Sequence, residues 1–353
     1  MLMSGNSNWR NTESSRGSPE WRGSRGRPQG AASAAPRRKM EHIASVSRSS
    51  GLEKDGDALK NFEVQDEYRE FIQGKLNDMW KRYPRSPAET EAEARQRVDT
   101  QENVLILFRK LREGIISSKR VGQFTLEVYE TSLYLAVLFD SPRHISPVIP
   151  ALLSYLQLPS TEPHQHCVHT VLVCLLHHLV AAYPSQREFH SQLASVPKGF
   201  FPDGSEARVW IKSLAGCIRA RNYAKIDKMT QLSALPVDEP GKSVVEQMAA
   251  LNLFPELNRD ISRKAFYHLL DCLRNKAREM AWTVMRAAYR ELSCQLDPHL
   301  DTRSWLGRSL GLLSSLPGSC PIDLDQWLET ESGLGHVRKK DGIDGRWIVC
   351  KPR

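Results

Sequence analysis

The chain has 353 residues, of which 40% are hydrophobic and 25% are charged, a balance typical of a folded protein with one large or two modest domains. The longest apolar run, "CVHTVLVCLLHHLVAAY", contains three histidines and falls short of the roughly 18 to 20 residues of a membrane helix, so a buried helix is predicted there. The seven cysteines lack paired spacing and the polar N-terminus lacks a signal peptide pattern. We therefore expect reduced thiols in the cytosol or nucleus rather than a secreted disulfide framework.

The formal net charge is +8, and most of it lies near the N-terminus. Residues 1–50 hold nine Lys or Arg and three Glu, among many Ser, Gly and Pro. A segment with so few large apolar side chains cannot offset the entropy of ordering, so residues 1–60 are predicted to be a disordered basic tail. Its Arg-Gly pairs resemble RNA-associating tails and "APRRK" suits nuclear import, whereas a passive solubilising tail is the alternative.

Residues 61–300 carry apolar side chains at spacings of three and four, which predicts helices. The expected helices are 62–83, 101–116, 123–139, 145–157, 163–183, 186–195, 204–216, 219–234, 242–251 and 261–294. The acidic stretch "AETEAEAR" is predicted to connect the first two, and prolines fall between several of the others. The fold class is therefore all-α, a helical-repeat array of stacked antiparallel pairs.

The last segment, residues 301–353, changes character. "TRSWLGRSLGLL" and "PIDLDQWLETESGL" predict two short helices. "HVRKKDGIDGRWIVCKPR" then predicts two extended segments around a turn rich in Gly and Asp, which is a small β-hairpin. Two helices followed by a hairpin is the layout of a winged helix.

The stretch "GQFTLEVYET" predicts a helix that is apolar on two sides. One stripe begins with Phe124 and Val128, and a second begins with Leu126 and Tyr129. A helix with two apolar faces lies between neighbouring helices rather than on the surface. We therefore expect an internal helix in which an aspartate at position 128 would unfold the array.

Two glutamates, Glu127 and Glu130, occupy the rest of this helix. Carboxylates three residues apart are common on helices, so acid/base catalysis is not the favoured interpretation. We expect them to pair with Lys119, Arg120 or an arginine of another helix, and we expect Glu127→Gln to cost little function.

Phe124, Glu127, Val128, Tyr129 and Glu130 also carry a family resemblance. "QFTLEVYE", preceded by "LFRKLREGIIS", resembles the "NEFTVEVYE" region of the GANP/Sac-three/Thp-three family, which is related to PCI-domain scaffolds. The resemblance continues through "ARVWIKSLAGCIRARNYAKIDKM", "FYHLLDCLRNKAREMAWTVMRAAYREL" and the C-terminal segment. The family's Cys/Pro motif is missing and "REGIISSKR" replaces its "RQDLTVQ", so the chain resembles a divergent member.

The resemblance implies a PCI-like, right-handed helical array that ends in a winged helix. In that family the winged helix packs beside that of a PCI partner, and the joint surface holds nucleic acid. A small acidic tether protein is a further partner that the resemblance implies. The expected setting is a nuclear complex that couples transcription to mRNA processing or export, with a cytoplasmic pool left open.

The histidine-rich stretch is the densest group of potentially reactive side chains. His166, Cys167 and His169 are residue types that bind zinc, with Cys174 or His177 one or two turns further on. No second spaced pair completes a four-ligand set, so core cysteines and exposed histidines are favoured. Nucleophile-elbow, phosphate-loop and dinucleotide motifs are missing. We predict no catalytic residue, no metal and no cofactor; a hydrolase that uses this helix is the remaining enzyme alternative.

Basic residues in the hairpin are the predicted nucleic-acid contacts. They are Arg338, Lys339, Lys340, Arg346 and Lys351. Such side chains neutralise phosphates and give salt-dependent binding of low sequence specificity. Trp347 is expected in the core, and a solvated hairpin without a ligand is the alternative. Four further cations, Arg219, Arg221, Lys225 and Lys228, either extend this surface or form an ordinary exposed helix face.

Together these features predict a non-catalytic scaffold subunit that contacts a PCI-type partner and RNA or single-stranded nucleic acid, without a membrane role. The alternative is a PCI-like structural subunit of a proteasome-lid or signalosome type of complex that does not bind RNA.

Overall fold

The computed structural model describes residues 40–46, 57–83, 89–158, 167–236, 253–295, 302–312, 316–317 and 321–351, all within one unit that spans Met40–Arg353. In these residues the fold is mostly helical, with a small three-stranded antiparallel sheet near the C-terminus. The helices are α1 (Phe62–Arg82), α2 (Glu91–Ser118), α3 (Gln123–Leu138), α4 (Pro142–Leu156), α5 (Cys167–Ala181), α6 (Arg187–Ser195), α7 (Glu206–Arg219), α8 (Tyr223–Met229), α9 (Leu253–Ala288), α10 (Thr302–Ser309) and α11 (Leu324–Gly333). None of the helices in these ranges is long and apolar enough to cross a membrane. Residues 1–39 and the predicted helix 242–251 lie outside the described residues.

Part of the predicted tail belongs to the folded unit. Met40–His42 and Ala58–Lys60 form 3-10 turns, and Ile43 and Leu59 are buried in the main core. The Lys110 ammonium donates to the Ile43 carbonyl at 2.9 Å. These contacts supply the apolar burial and hydrogen bonds that hold residues 40–46 and 57–60 against the helices.

Residues 91–95 of the acidic stretch are the first residues of α2, so their prediction as a connector is wrong. The Thr90 hydroxyl accepts a hydrogen bond from the Glu93 backbone N–H at 3.3 Å, and the Glu93 carboxylate accepts one from the Thr90 N–H at 2.9 Å. This capping box satisfies two of the donors that a helix start leaves free. The acidic residues therefore occupy the first turns of a helix that is exposed there.

Helix α3 lies inside the fold, which confirms the prediction from its two apolar stripes. It packs against α2, α4 and α9, and its residues from Thr125 to Leu138 are buried apart from the half-buried Glu127. Burying each large apolar side chain contributes about 1.5–3 kcal/mol. Gly122 precedes the helix with a φ of 111°, a backbone conformation that other residues rarely adopt.

Helix α9 is 36 residues long and packs against α5, α3 and α8. Its middle residues, including Phe266 and Leu270, are buried in the main core. Further along, Ala281, Trp282 and Met285 belong to a second core shared with the C-terminal helices and strands. One helix therefore runs from the first core into the second.

The sheet has three strands, in the order β1 (Glu291–Ser293), β3 (Arg346–Val349), β2 (Val337–Lys339). Strands β2 and β3 are the predicted hairpin. The predicted helix 261–294 is wrong at its end, because the chain leaves α9 at Ala288 and pairs Leu292 with Trp347 of β3.

The predicted helix 219–234 is confirmed only at 223–229 and is wrong at both ends. Helix α7 ends at Arg219, Arg221 adopts a left-handed backbone with a φ of 54°, and α8 starts at Tyr223. The Asn222 side chain accepts from the Lys225 N–H at 3.1 Å and so caps the new helix.

Candidate nucleic-acid interface

The C-terminal module consists of the end of α9, the helices α10 and α11, and the sheet (residues 281–351). Edge-to-face rings of Trp282 and Trp327, with centroids 4.8 Å apart, form its centre. The Trp282 N–H donates to the Glu331 carboxylate at 2.6 Å, which joins α9 to α11. Trp347 is buried, as predicted, so it packs in the core and is not free to stack on bases.

Three of the predicted phosphate-binding cations already pair with carboxylates. The Lys340 ammonium lies 3.0 Å from Glu291, and the Arg346 guanidinium lies 3.3 Å from the same side chain. These cations, Lys340 first, lower the pKa of Glu291. Lys339 contacts the Glu329 carboxylate, which raises the pKa of the lysine.

The remaining two, Arg338 and Lys351, are exposed and make no ion pair within the described part of the chain. Residues 281–351 hold nine Lys or Arg and nine Asp or Glu, so the module has no net charge. Sequence inspection picked out the cations but missed the carboxylates of β1 and α11 that face them. The hairpin by itself is therefore not a strongly positive surface.

A second group of cations, the α7–α8 row, is entirely exposed. It comprises Arg219, Arg221, Lys225 and Lys228. Within the described residues none of the four has a carboxylate partner. Between residues 207 and 236 the sequence contains a single carboxylate, Asp227, which is buried with its oxygen 3.9 Å from the Arg274 guanidinium. Among the described residues, the row is therefore a group of exposed cations without ion-pair partners.

The α7–α8 row adjoins the C-terminal module. Helix α8 packs against α10 and against α9. At the same junction the Arg278 guanidinium donates to the carbonyls of Leu310 at 2.9 Å and Gly311 at 3.2 Å. These bonds hold the turn after α10 against α9, and α8 packs against both of these helices.

The α3 residues that carry the sequence resemblance have structural partners. The Glu127 carboxylate accepts from the Arg69 guanidinium at 2.6 Å, which confirms the expected pairing with an arginine of another helix. Phe124 lies under the Arg120 guanidinium, 3.7 Å from its ring centroid, and Val128 is fully buried.

Glu130 lies in a buried hydrogen-bond network between α3 and α5. Its carboxylate accepts from the Thr170 hydroxyl at 2.6 Å, and that hydroxyl lies 2.6 Å from the Tyr134 hydroxyl. Burial raises the pKa of Tyr134 well above its usual range, as does the charge of Glu130. Tyr129 is also buried, with the Arg112 guanidinium over its ring. These side chains hold the two helices in register.

The histidine-rich helix α5 contains no activated thiol among its described residues. Burial raises the pKa of Cys167 to about 12, and both Cys167 and Cys174 lie in the core. His177 is half-buried rather than exposed as expected, and burial lowers its pKa to about 4. His166 lies outside the described residues.

A different set of metal-binding residue types comes together elsewhere. Asp140, His268 and Cys272 place one ligand atom each within 4.8 Å of one another. Sequence inspection missed this set, because Asp140 is 128 residues away from His268 and only the packing of α9 on α3 joins them.

Comparison of the chain with protein-family models and with curated proteins gives no match.

Proposed function

We propose that the protein is a non-catalytic scaffold subunit of a nuclear complex that links transcription with mRNA processing and export. In this proposal the helices α1–α9 form a PCI-like array, the C-terminal module is a winged helix that docks against a PCI-type partner, and the surface beside it holds RNA or single-stranded nucleic acid. A small acidic tether protein completes the assembly.

The order of elements in the C-terminal module supports the winged-helix part of the proposal. The end of α9 is followed by β1, two helices and the β2–β3 hairpin, with β3 in the middle of the sheet. This is the helix–strand–helix–helix–strand–strand layout of a winged helix. The pairing of successive helices α1 with α2, α2 with α3 and α3 with α4 supports the array.

The observation that carries the nucleic-acid proposal is the α7–α8 row, which has four exposed cations without an ion-pair partner among the described residues. A phosphate backbone gains most from cations that are not already neutralised. The row adjoins the module at α8, and Arg338 and Lys351 add two more exposed cations from the hairpin. The interface proposed here therefore includes α8 as well as the predicted wing.

Filter binding of the full chain to a single-stranded RNA across a salt series tests the interface. Each phosphate contact to a single strand contributes about 0.7 to the slope of log K against log salt. We expect Arg221→Glu with Lys225→Glu to reduce that slope by about 1.4, the value for two lost contacts. Arg338→Glu with Lys351→Glu should have a smaller effect, because these side chains lie on a module without net charge.

The matched control is Lys81→Glu with Arg82→Glu, which makes the same change in net charge on the exposed end of α1. If the control lowers affinity as much as the α7–α8 variant, attraction is general and no interface exists. If the wild-type protein does not bind at low salt, the structural subunit of a lid-type or signalosome-type complex becomes the better function. The neutralised hairpin cations are the observation that favours that alternative.

An exposed aromatic pair on the module suits a protein partner. The rings of Tyr289 and Trp305 lie 5.7 Å apart, and both side chains are more than a third exposed. Aromatic side chains of this kind are enriched where interfaces derive their binding energy. Affinity purification from nuclear extract should recover a second PCI-type protein, and Tyr289→Ala with Trp305→Ala should lose it. Recovery of metabolic enzymes alone would contradict the scaffold proposal.

A further inference from the structure

Asp140 follows α3 in a conformation that is usually left to glycine. Its φ is 48°, its N–H donates to the Val137 carbonyl at 3.1 Å, and the Ser141 N–H donates to the Ala136 carbonyl at 2.9 Å. This pattern is the Schellman motif, in which the left-handed position after the helix favours glycine because side chains are strained there. An aspartate tolerates the position better than most residues, but glycine would suit it more. The carboxylate at this place therefore calls for an explanation beyond the turn itself.

The Asp140 carboxylate faces two side chains of α9. The Nε2 atom of His268 lies 2.8 Å from Asp140 Oδ1 and 3.7 Å from Cys272 Sγ. His268 and Cys272 are four residues apart, so they share one face of the helix. Packing of α9 along α3 brings that face to the end of α3, where Asp140 lies.

The same nitrogen of His268 contacts both the carboxylate and the thiol. A catalytic Cys–His–Asp set would need the acid and the thiol on opposite nitrogens of the imidazole, so that the acid orients the ring while the other nitrogen takes the thiol proton. Here the three ligand atoms instead lie within 4.8 Å of one another. Convergence of oxygen, nitrogen and sulfur is the arrangement of a metal site rather than of a nucleophile.

His268 is paired with the Asp140 carboxylate. The Asp140 carboxylate, followed by Cys272, raises the pKa of His268 to about 10 despite partial burial. A metal cation at this point would have to displace the protons of His268 and Cys272, so the raised pKa weakens metal binding at neutral pH. Proton and metal thus compete for the same set of donors.

We propose that Asp140, His268 and Cys272 form a zinc site with a fourth position open to water. Zinc binds sulfur at about 2.3 Å and nitrogen or oxygen at about 2.0 Å in tetrahedral geometry, which separates bound nitrogen from oxygen by about 3.3 Å and from sulfur by about 3.6 Å. The present separations of 2.8 Å and 3.7 Å approach those values to within about half an ångström. Asp140 also borders a cavity of about 450 Å³, so its carboxylate is reachable from solvent.

The donor set selects zinc over the commoner hard cations. Magnesium and calcium prefer all-oxygen ligands, whereas one thiolate with one imidazole suits zinc or cobalt. Three protein ligands and one exchangeable water distinguish the site from the closed four-ligand sites that stabilise small folds. The inference does not depend on the proposed RNA interface, because zinc binding is measured without RNA.

Competition titration of the purified full chain with Zn²⁺ against a chromophoric chelator tests the site. We expect one tight equivalent in the wild-type protein. Cys272→Ser should weaken it by more than about 100-fold, since even the outer partners of a metal ligand contribute 10- to 100-fold. Cys350→Ser is the matched control, because Cys350 is a half-buried thiol in the C-terminal module and should leave the tight equivalent in place. Titration with Co²⁺ should give a thiolate charge-transfer band that Cys272→Ser removes.

Asp140→Gly separates binding from folding. Glycine suits the left-handed position, so this variant keeps the helix end while it loses the carboxylate. The rise in melting temperature that Zn²⁺ gives the wild-type protein should shrink in Asp140→Gly and persist in Cys350→Ser. No tight equivalent in the wild-type protein, or a tight equivalent and a zinc-dependent rise that survive in Cys272→Ser, would overturn the proposal.

Discussion

The pair between Arg69 of α1 and Glu127 of α3 gives the sharpest prediction about stability. The Arg69 side chain is only 7% exposed, whereas Glu127 is 23% exposed. Arg69 donates to both Glu127 oxygens and to Gln73, and its guanidinium lies 5.5 Å from the ring centroid of Phe108. From the sequence alone Glu127→Gln is expected to cost little function, whereas the buried Arg69 beside this carboxylate bears on stability.

Glu127→Gln removes the charge and places an amide group beside the guanidinium. Breaking a fully buried ion pair costs about 3–5 kcal/mol. Here Glu127 is about a quarter exposed, and the remaining amide oxygen still accepts a hydrogen bond, so the free energy of unfolding should fall by about 2 kcal/mol. For a folded unit of about 300 residues, that loss corresponds to a drop in melting temperature of about 3 °C.

Urea unfolding followed by circular dichroism measures this loss, provided that the slope against urea stays unchanged. Glu67→Gln on the exposed face of α1 is the control and should stay within about 0.5 kcal/mol of the wild-type protein. If Glu127→Gln also stays within that range, the carboxylate does not stabilise Arg69 and the reasoning fails. A double variant, Arg69→Met with Glu127→Leu, should be less destabilised than the sum of its single variants, because each single variant leaves one charge unpaired and the double variant leaves none.

Three further predictions test the packing. Val128→Asp puts a carboxylate into the fully buried side of α3 and should abolish the cooperative melting transition seen by circular dichroism. Gly114→Ala would place a methyl group 2.6 Å from the Leu59 carbonyl oxygen and should lower the free energy of unfolding by about 1–3 kcal/mol in a urea experiment. Gly74→Ala has open space around it on α1 and should raise the free energy of unfolding by about 0.5–1 kcal/mol in the same experiment. Thr90→Ala removes half of the capping box and should cost about 1 kcal/mol; a value indistinguishable from the wild-type protein would mean that the first turns of α2 contribute nothing to stability.

The helices with regular apolar stripes could be predicted from the sequence. The two apolar stripes of α3 predict an internal helix, because a helix on the surface has only one apolar face. The first turns of α2 were missed for the opposite reason, since they are exposed and carry no stripe. The sequence did contain their signal, the Thr90 and Glu93 spacing of a capping box.

The strand β1 and the charge balance of the candidate interface could not be predicted. Glu291–Ser293 follows a helical pattern without interruption, and only pairing with β3 makes it extended. The same pairing brings Glu291 to Lys340 and Arg346. The neutralisation of these cations depends on a carboxylate from a distant part of the chain. The contact of Asp140 with α9 likewise joins residues that are far apart in the sequence.

Helix α9 contributes to both hydrophobic cores, from Ala265 in the first to Met285 in the second. Its 36 residues span about 54 Å without a proline in the part that joins the cores. A continuous helix resists bending far more than a loop, so it behaves as a stiff lever rather than as a hinge. A force applied to the C-terminal module is therefore transmitted along α9 to α3 and α5, and the separation of the two cores is set by the length of one helix.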